Sequence, residues 1–226
     1  NEDTVIMVDE YTPATVVISK QDIAGAEIAG AELTVTDSDG KIVDSWTSQE
    51  GKSHEIESLL PGTYTLSERV VPDGYEKAED ITFDLLPGGK VQVDGTDVDK
   101  VVMTDEYTPY PVTFRKIEYI KSTETMLSGA KLTLQDENGK AVLSWTTDGS
   151  AKTVSLTPGT YKLVETEAPT GYEIADPITF TMAVGGAVTI SGESSALQEA
   201  VITMIDPIED AHKEVKILKT GMDDEP

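Results

Sequence analysis

Apolar and polar residues alternate through most of this chain. "VVISK" (16–20), "ELTVT" (32–36), "YTLSE" (64–68), "ITFDL" (81–85) and "VVMTD" (101–105) carry a large apolar residue at every second position. A period of two places those side chains on one face of an extended strand. Segments bearing Gly or Pro, such as "DSDGK", "PGTY" and "LPGGK", separate the runs where the chain has to turn. The pattern predicts seven or so short strands per repeat, no convincing helix, and hence all-β domains of sandwich or barrel type.

The same pattern occurs twice. "GAELTVTDSDGKIVDSWTS" (30–48) matches "GAKLTLQDENGKAVLSWTT" (129–147), and "PGTYTLSERVVPDGY" (61–75) matches "PGTYKLVETEAPTGY" (158–172). "VVISK" matches "VTFRK" (112–116), "ITFDLLPGG" (81–89) matches "ITFTMAVGG" (178–186), and "VVMTD" matches "VITMID" (201–206). Two tandem domains are therefore expected, 14–107 and 111–208, joined by the short "TPYP" segment. Residues 1–13 contain "VIMVDEY", which reads as the closing strand of a preceding repeat plus a linker. Residues 209–226 contain "VKILK" (215–219), which reads as a linker and the opening strand of a following one. The chain is expected to be a section of a longer array.

Composition narrows the choice of partners. A formal net charge of −25 over 226 residues opposes binding to nucleic acid or to an anionic membrane, and no apolar run is long enough to span a bilayer. With no cysteine, disulfides cannot staple the domains. The "DSDG" segment starts like a calcium loop, but the glutamate at its twelfth position is missing, so a hairpin turn is expected, with no metal and no cofactor. The two histidines, His54 and His212, are not at matching places, and no nucleophile–base motif points to an enzyme acting on an external substrate.

The candidate chemistry lies on the buried faces. Lys20 shares its face with Val16 and Ile18, and Lys116 with Val112 and Phe114. Glu68 follows Tyr64 and Leu66, and Glu165 follows Tyr161 and Leu163. Asp105 follows Val101 and Met103, and Asp206 follows Ile202 and Met204. The bland reading is a set of strand ends forming ordinary salt bridges. The order Lys–Glu–Asp, kept in both repeats, favours another: burying these charges is costly unless they neutralise one another. They can do so covalently, the lysine amine attacking the aspartate carboxyl and expelling water. Burial favours the free amine and a protonated carboxyl, so Glu68 or Glu165 is expected to shuttle protons. The fold would hold the reactants together at an effective molarity of about 10⁵ M or more.

The motifs "GAxLTxxDxxGKxVxSWT" and "PGTYxLxExxxPxGY", with their flanking Lys and Asp strands, resemble the collagen-adhesin B-type, or SpaA-like, domains of Gram-positive surface proteins and pili. The resemblance covers nearly the whole chain, twice. It implies two transthyretin-like, inverse-immunoglobulin β-sandwiches, each with a spontaneous isopeptide bond: Lys20–Asp105 beside Glu68, and Lys116–Asp206 beside Glu165. "VIMVDEYTP" resembles the tag half of a split domain of this type. Asp9 would then be the orphan acceptor of a missing upstream domain, or its strand could add to a sheet edge or compete with Asp105 for Lys20 of another molecule. Lys219 is a candidate orphan donor. The second repeat departs from the first with "DPIED" after its aspartate and an extended loop, "YIKSTETML".

The expected role is a structural stalk or spacer of a cell-surface adhesin or pilus, with neighbouring repeats of the same chain as its partners. Host extracellular matrix would be engaged through other parts of the parent protein. The alternative is a module binding host matrix protein or glycan, with the 117–128 loop as the place for a site confined to one repeat. Trp46 and Trp145, at equivalent strand positions, point to scaffold instead. "LKTG" (218–221) lacks the proline of a sorting signal, so a cell-wall anchor would lie outside this sequence.

Overall fold

The computed structural model describes residues 10–120, 122–193 and 199–208; Asp9 and Lys219 lie outside them. The chain divides into two compact units. The first is built around β1 (Ala14–Asp22), β2 (Glu32–Asp37), β3 (Ile42–Thr47), β4 (His54–Leu59), β5 (Gly62–Val70), β6 (Ile81–Leu85), β7 (Val91–Val93), β8 (Thr96–Val98) and β9 (Val101–Asp105). A three-stranded sheet runs in the order β4-β1-β9, and a six-stranded sheet in the order β3-β2-β5-β6-β7-β8. The second unit is built around β10 (Tyr110–Ile120), β11 (Thr123–Met126), β12 (Ser128–Asp136), β13 (Ala141–Asp148), β14 (Lys152–Leu156), β15 (Gly159–Glu167), β16 (Ile178–Met182), β17 (Val188–Ile190) and β18 (Val201–Ile205). Its sheets repeat the plan: β10 lies between β14 and β18 and also pairs with β11, and the larger sheet runs β13-β12-β15-β16-β17. There is no helix among the described residues.

Among the described residues nine strands form in each repeat, β1–β9 and β10–β18, where about seven were expected. The additions in the first are β7 and β8, three residues each, too short for alternation to reveal. Asp94 and Gly95 turn them into a hairpin with φ of 51° and 73°, the left-handed pair that suits a tight two-residue turn. In the second unit strands form where an extended loop was expected: β10 continues to Ile120 and β11 returns antiparallel, with Ile117 opposite Met126 and Ile120 opposite Thr123. β-branched residues on both arms favour pairing, and Ser122 makes the turn at φ 65°. "DSDGK" is a turn: Asp37 Oδ1 accepts the N–H groups of Asp39 and Lys41 at 3.0 and 2.9 Å. Asp136 does the same for Asn138 and Lys140 in the second unit.

In each unit the core lies on the inward faces of the two sheets. Val16, Ile18, Leu33, Val35, Leu66, Phe83, Val101 and Met103 form one cluster in the first. Phe114, Leu132, Leu134, Leu163, Phe180 and Met204 are buried in the second. The first strand and the last lie side by side and parallel in both units. A parallel pairing of chain ends needs a long crossover connection, and here the rest of the domain supplies it.

Leu66, fully buried, and Ile42, half exposed on edge strand β3, calibrate this core. Leu66→Ala is expected to cost about 2–5 kcal/mol in urea denaturation, and Ile42→Ala no more than about 0.5 kcal/mol.

Candidate functional site

The six ionisable residues at issue are brought together in two groups of three. Lys20, on β1, and Asp105, the last residue of β9, meet directly, with Lys20 Nζ donating to Asp105 Oδ1. Glu68, on β5 in the facing sheet, places Oε1 3.0 Å from the same Nζ. In the second unit Lys116 Nζ donates to Asp206 Oδ1 and stands 3.0 Å from Glu165 Oε2. All six residues are at least 96% buried. The strands deliver them by the same alternation that fills the core: Val16, Ile18, Leu66, Val101 and Met103 precede them on their faces and are likewise buried.

Register sets the meeting. Lys20 lies opposite Met103, not Asp105, and Lys116 lies opposite Met204, not Asp206. Each lysine therefore reaches two residues along its parallel neighbour, about 6–7 Å, a span its four-carbon stem can cross. A slip of one residue would turn the aspartate to the opposite face.

The carboxyls are held asymmetrically. Glu68 Oε2 accepts the Ala78 N–H at 3.2 Å, and Glu165 Oε2 accepts the Ala175 N–H at 2.7 Å. Asp105 Oδ2 and Glu68 Oε1 accept no aligned hydrogen bond, and neither do Asp206 Oδ2 and Glu165 Oε1. Each unit thus holds one such oxygen on each of its two carboxyls, and a single proton between the two carboxyls would satisfy both. The Asp105 carboxyl is pushed up to about 6: burial raises it, the hydrogen bond and charge of Lys20 oppose this, and Glu68 raises it again. Asp206 is pushed up to about 6 for the same reasons, with Lys116 opposing and Glu165 adding to the rise.

Other contacts around the site were not anticipated from sequence. The backbone donors Ala78 and Ala175 carry no side-chain signal. Asp22 and Glu118, two residues beyond the lysines, accept hydrogen bonds from Tyr107 and Tyr172. Their shared offset from Lys20 and Lys116 is the one clue that the sequence holds. Glu27 ties its loop to β1, accepting from Ser19 Oγ at 2.5 Å and from the Lys20 N–H at 3.0 Å.

The family described as SpaA, prealbumin-like fold domain, matches residues 14–99 and 111–196. The chain belongs to this family. Serine-aspartate repeat-containing protein D of Staphylococcus aureus (strain Newman) is 28% identical over 167 residues, covering 68% of this chain and 12% of the relative. Serine-aspartate repeat-containing protein F of Staphylococcus epidermidis is 28% identical over 166 residues, covering 64% and 9%. This SpaA-type chain therefore spans about a tenth of the length of these relatives. Among solved structures, the C-terminal fragment of the pilus adhesin SpaC from Lactobacillus rhamnosus GG matches with a TM-score of 0.41 at 22% identity. That match covers 88% of this chain and 98% of the other.

Removing one lysine from a SpaA-type site leaves two buried carboxyls without a cation. Lys20→Met is expected to destabilise the first domain by about 3–5 kcal/mol at pH 7. The loss has a definite pH dependence. Asp105 is raised, and Lys20 is the influence opposing that rise. A raised carboxyl supports the fold fully below its unfolded pKa, near 3.8, and that support is lost as pH rises through about 6 and beyond. Urea midpoints of Lys20→Met should fall between pH 4 and pH 8, and adding Asp105→Asn should flatten the slope.

Proposed function

We propose that each domain joins its first strand to its last through an isopeptide bond, Lys20–Asp105 and Lys116–Asp206, and that the pair forms part of a load-bearing stalk of a bacterial surface adhesin or pilus. The observation that carries this reading is the buried Lys–Glu–Asp contact, formed twice with the same two-residue stagger. On this reading the domains run from opening to closing strand, 14–107 and 111–208.

The reaction needs only groups already in contact. The unprotonated lysine amine attacks Asp Cγ, forming the C–N bond. The Asp–Glu pair holds one proton, and the glutamic acid polarises the carbonyl and then protonates the departing Asp oxygen. Counted from its ammonium form, the lysine gives up two protons: the one passed to the aspartate before attack completes the water, and the N–H proton lost on forming the amide returns to the glutamate. The C–O bond breaks and a neutral amide and one water result. Glu68 and Glu165 end as they began, so their role is general acid and base. The Ala78 and Ala175 N–H groups fix the glutamates in place. The raised pKa of Asp105 and Asp206 favours the uncharged acid that an amine can attack.

The products suit a stalk. Asp105 follows Lys20 by 85 residues, so nearly the whole domain lies inside the closed loop. By the loop-entropy argument used for disulfides, closure is worth about 4–5 kcal/mol. Parallel first and last strands mean that force entering at β1 can leave through the amide to β9 without opening either sheet. The SpaA family and the serine-aspartate repeat relatives support a placement at the bacterial surface, with neighbouring repeats of the same chain as partners.

Single-molecule stretching tests the role. The parent is expected to show no unfolding step from either domain. Lys20→Ala or Glu68→Gln should release the first domain alone, with a gain in extension of roughly 300 Å for its 85-residue loop. Lys116→Ala should release the second alone. Unfolding of both domains in the parent would contradict the proposal.

A further inference from the structure

Two residues beyond each reactive lysine, the opening strand carries an acid, Asp22 or Glu118. In the first domain Asp22 Oδ1 accepts the N–H groups of Ala24 and Ala26 at 3.0 and 2.9 Å, and its other oxygen accepts from Tyr107 Oη at 2.8 Å. Tyr107 lies two residues beyond Asp105, and Asp22 lies directly opposite Asp105. The Tyr107–Asp22 contact therefore crosses the strand pair on the same diagonal as the Lys20–Asp105 contact, one step further along.

The segment carrying Tyr107 is itself docked. The Glu76 N–H donates to the Glu106 carbonyl at 2.8 Å and the Thr108 N–H to the Gly74 carbonyl at 2.9 Å, and Tyr75 packs against Tyr107 with ring centroids 5.6 Å apart. The second domain has Ile208 in place of Tyr107, which has no hydroxyl to offer. There Tyr172, bridged to Ile208, supplies the hydroxyl, donating to Glu118 Oε2 at 2.6 Å. Tyr75 and Tyr172 are matching residues of the "PxGY" segment. The two domains thus reach one arrangement, a tyrosine hydroxyl on the acid two beyond the lysine, from different members of a bridged pair.

We propose that Tyr107 and Tyr172 are positioning residues for the cross-link. Each latches the region just beyond the reactive aspartate to the opening strand and fixes the stagger that brings amine and carboxyl together. The inference rests on the cross-link reading above. Register is the quantity at stake, because among the described residues the pairing with the opening strand stops at the reaction site, at Asp105 in the first domain and at the Asp206 N–H, which donates to the Ile117 carbonyl at 3.0 Å, in the second. The Tyr107 hydroxyl is pushed up to about 12 by burial and by Asp22, so it remains a donor throughout the neutral range. A misplacement of about 1 Å can cost as much as about 100-fold in rate, so the latch acts on speed with little demand on stability.

The test uses the full chain, freshly made by cell-free translation, stopped in acidic urea and refolded at pH 7. Cross-linked peptides from each domain are followed by mass spectrometry, with tryptophan fluorescence reporting folding in parallel. Tyr107→Phe should slow the first cross-link about 10–100-fold while folding and the second cross-link keep the parent rate. Tyr172→Phe should do the reverse. Adding Ile208→Tyr to Tyr172→Phe should restore the second cross-link, a rescue that a loss of general stability would not give. Parent-rate cross-linking in Tyr107→Phe, slowing only in step with folding, or no rescue by Ile208→Tyr would each overturn the latch while leaving the cross-link standing. A parent that forms no cross-linked peptide would overturn the cross-link reading, and the latch with it.

Discussion

The constraint on which both domains depend is the burial of one lysine and two carboxyls among the mainly apolar side chains between two sheets. Such a group is stable only while all three members are present and correctly placed, because a charge left alone in that environment costs several kcal/mol. The fold meets the demand by drawing each member from a different strand: the lysine from the opening strand, the glutamate from the centre of the larger sheet, and the aspartate from the closing strand. None of the three is near another in sequence, so the group can assemble only when both sheets have formed and packed. The proposed chemistry would therefore follow the packing of the two sheets.

The two-residue stagger follows from the lengths of the side chains. An aspartate directly opposite the lysine would crowd the long ammonium stem, whereas an aspartate two positions on receives it at full reach. Methionine fills the position opposite each lysine, Met103 in one domain and Met204 in the other, and both are buried. A flexible unbranched side chain at that point can adapt to the stem passing beside it. The net charge of −25 opposes association between chains.

Much of this was readable in the sequence because a strand with one buried face writes its orientation into every second residue. "VVISK", "YTLSE" and "VVMTD" each name the face on which the charged residue lies, and the repeat showed that their co-occurrence is systematic. Alternation says nothing about which strands are neighbours, so the parallel pairing of β1 with β9 and its stagger came from the structure. It also fails for pieces of three residues, which hid β7 and β8, and for a segment as polar as "STET", which concealed the hairpin of β10 and β11. The Ala78 and Ala175 donors were invisible because any residue but proline offers a backbone N–H. The tyrosine contacts were invisible because Tyr107 reaches its partner from 85 residues away, and the second domain makes the equivalent contact from the other member of the bridged pair.

The central claim is covalent, so the most direct measurement is the intact mass of the purified chain in denaturant. The expected mass is lower than that of the linear sequence by two waters. Lys20→Ala and Lys116→Ala should each lack one of those losses, and the double variant both. A parent at the full linear mass would contradict the account and leave the two buried groups as ion pairs.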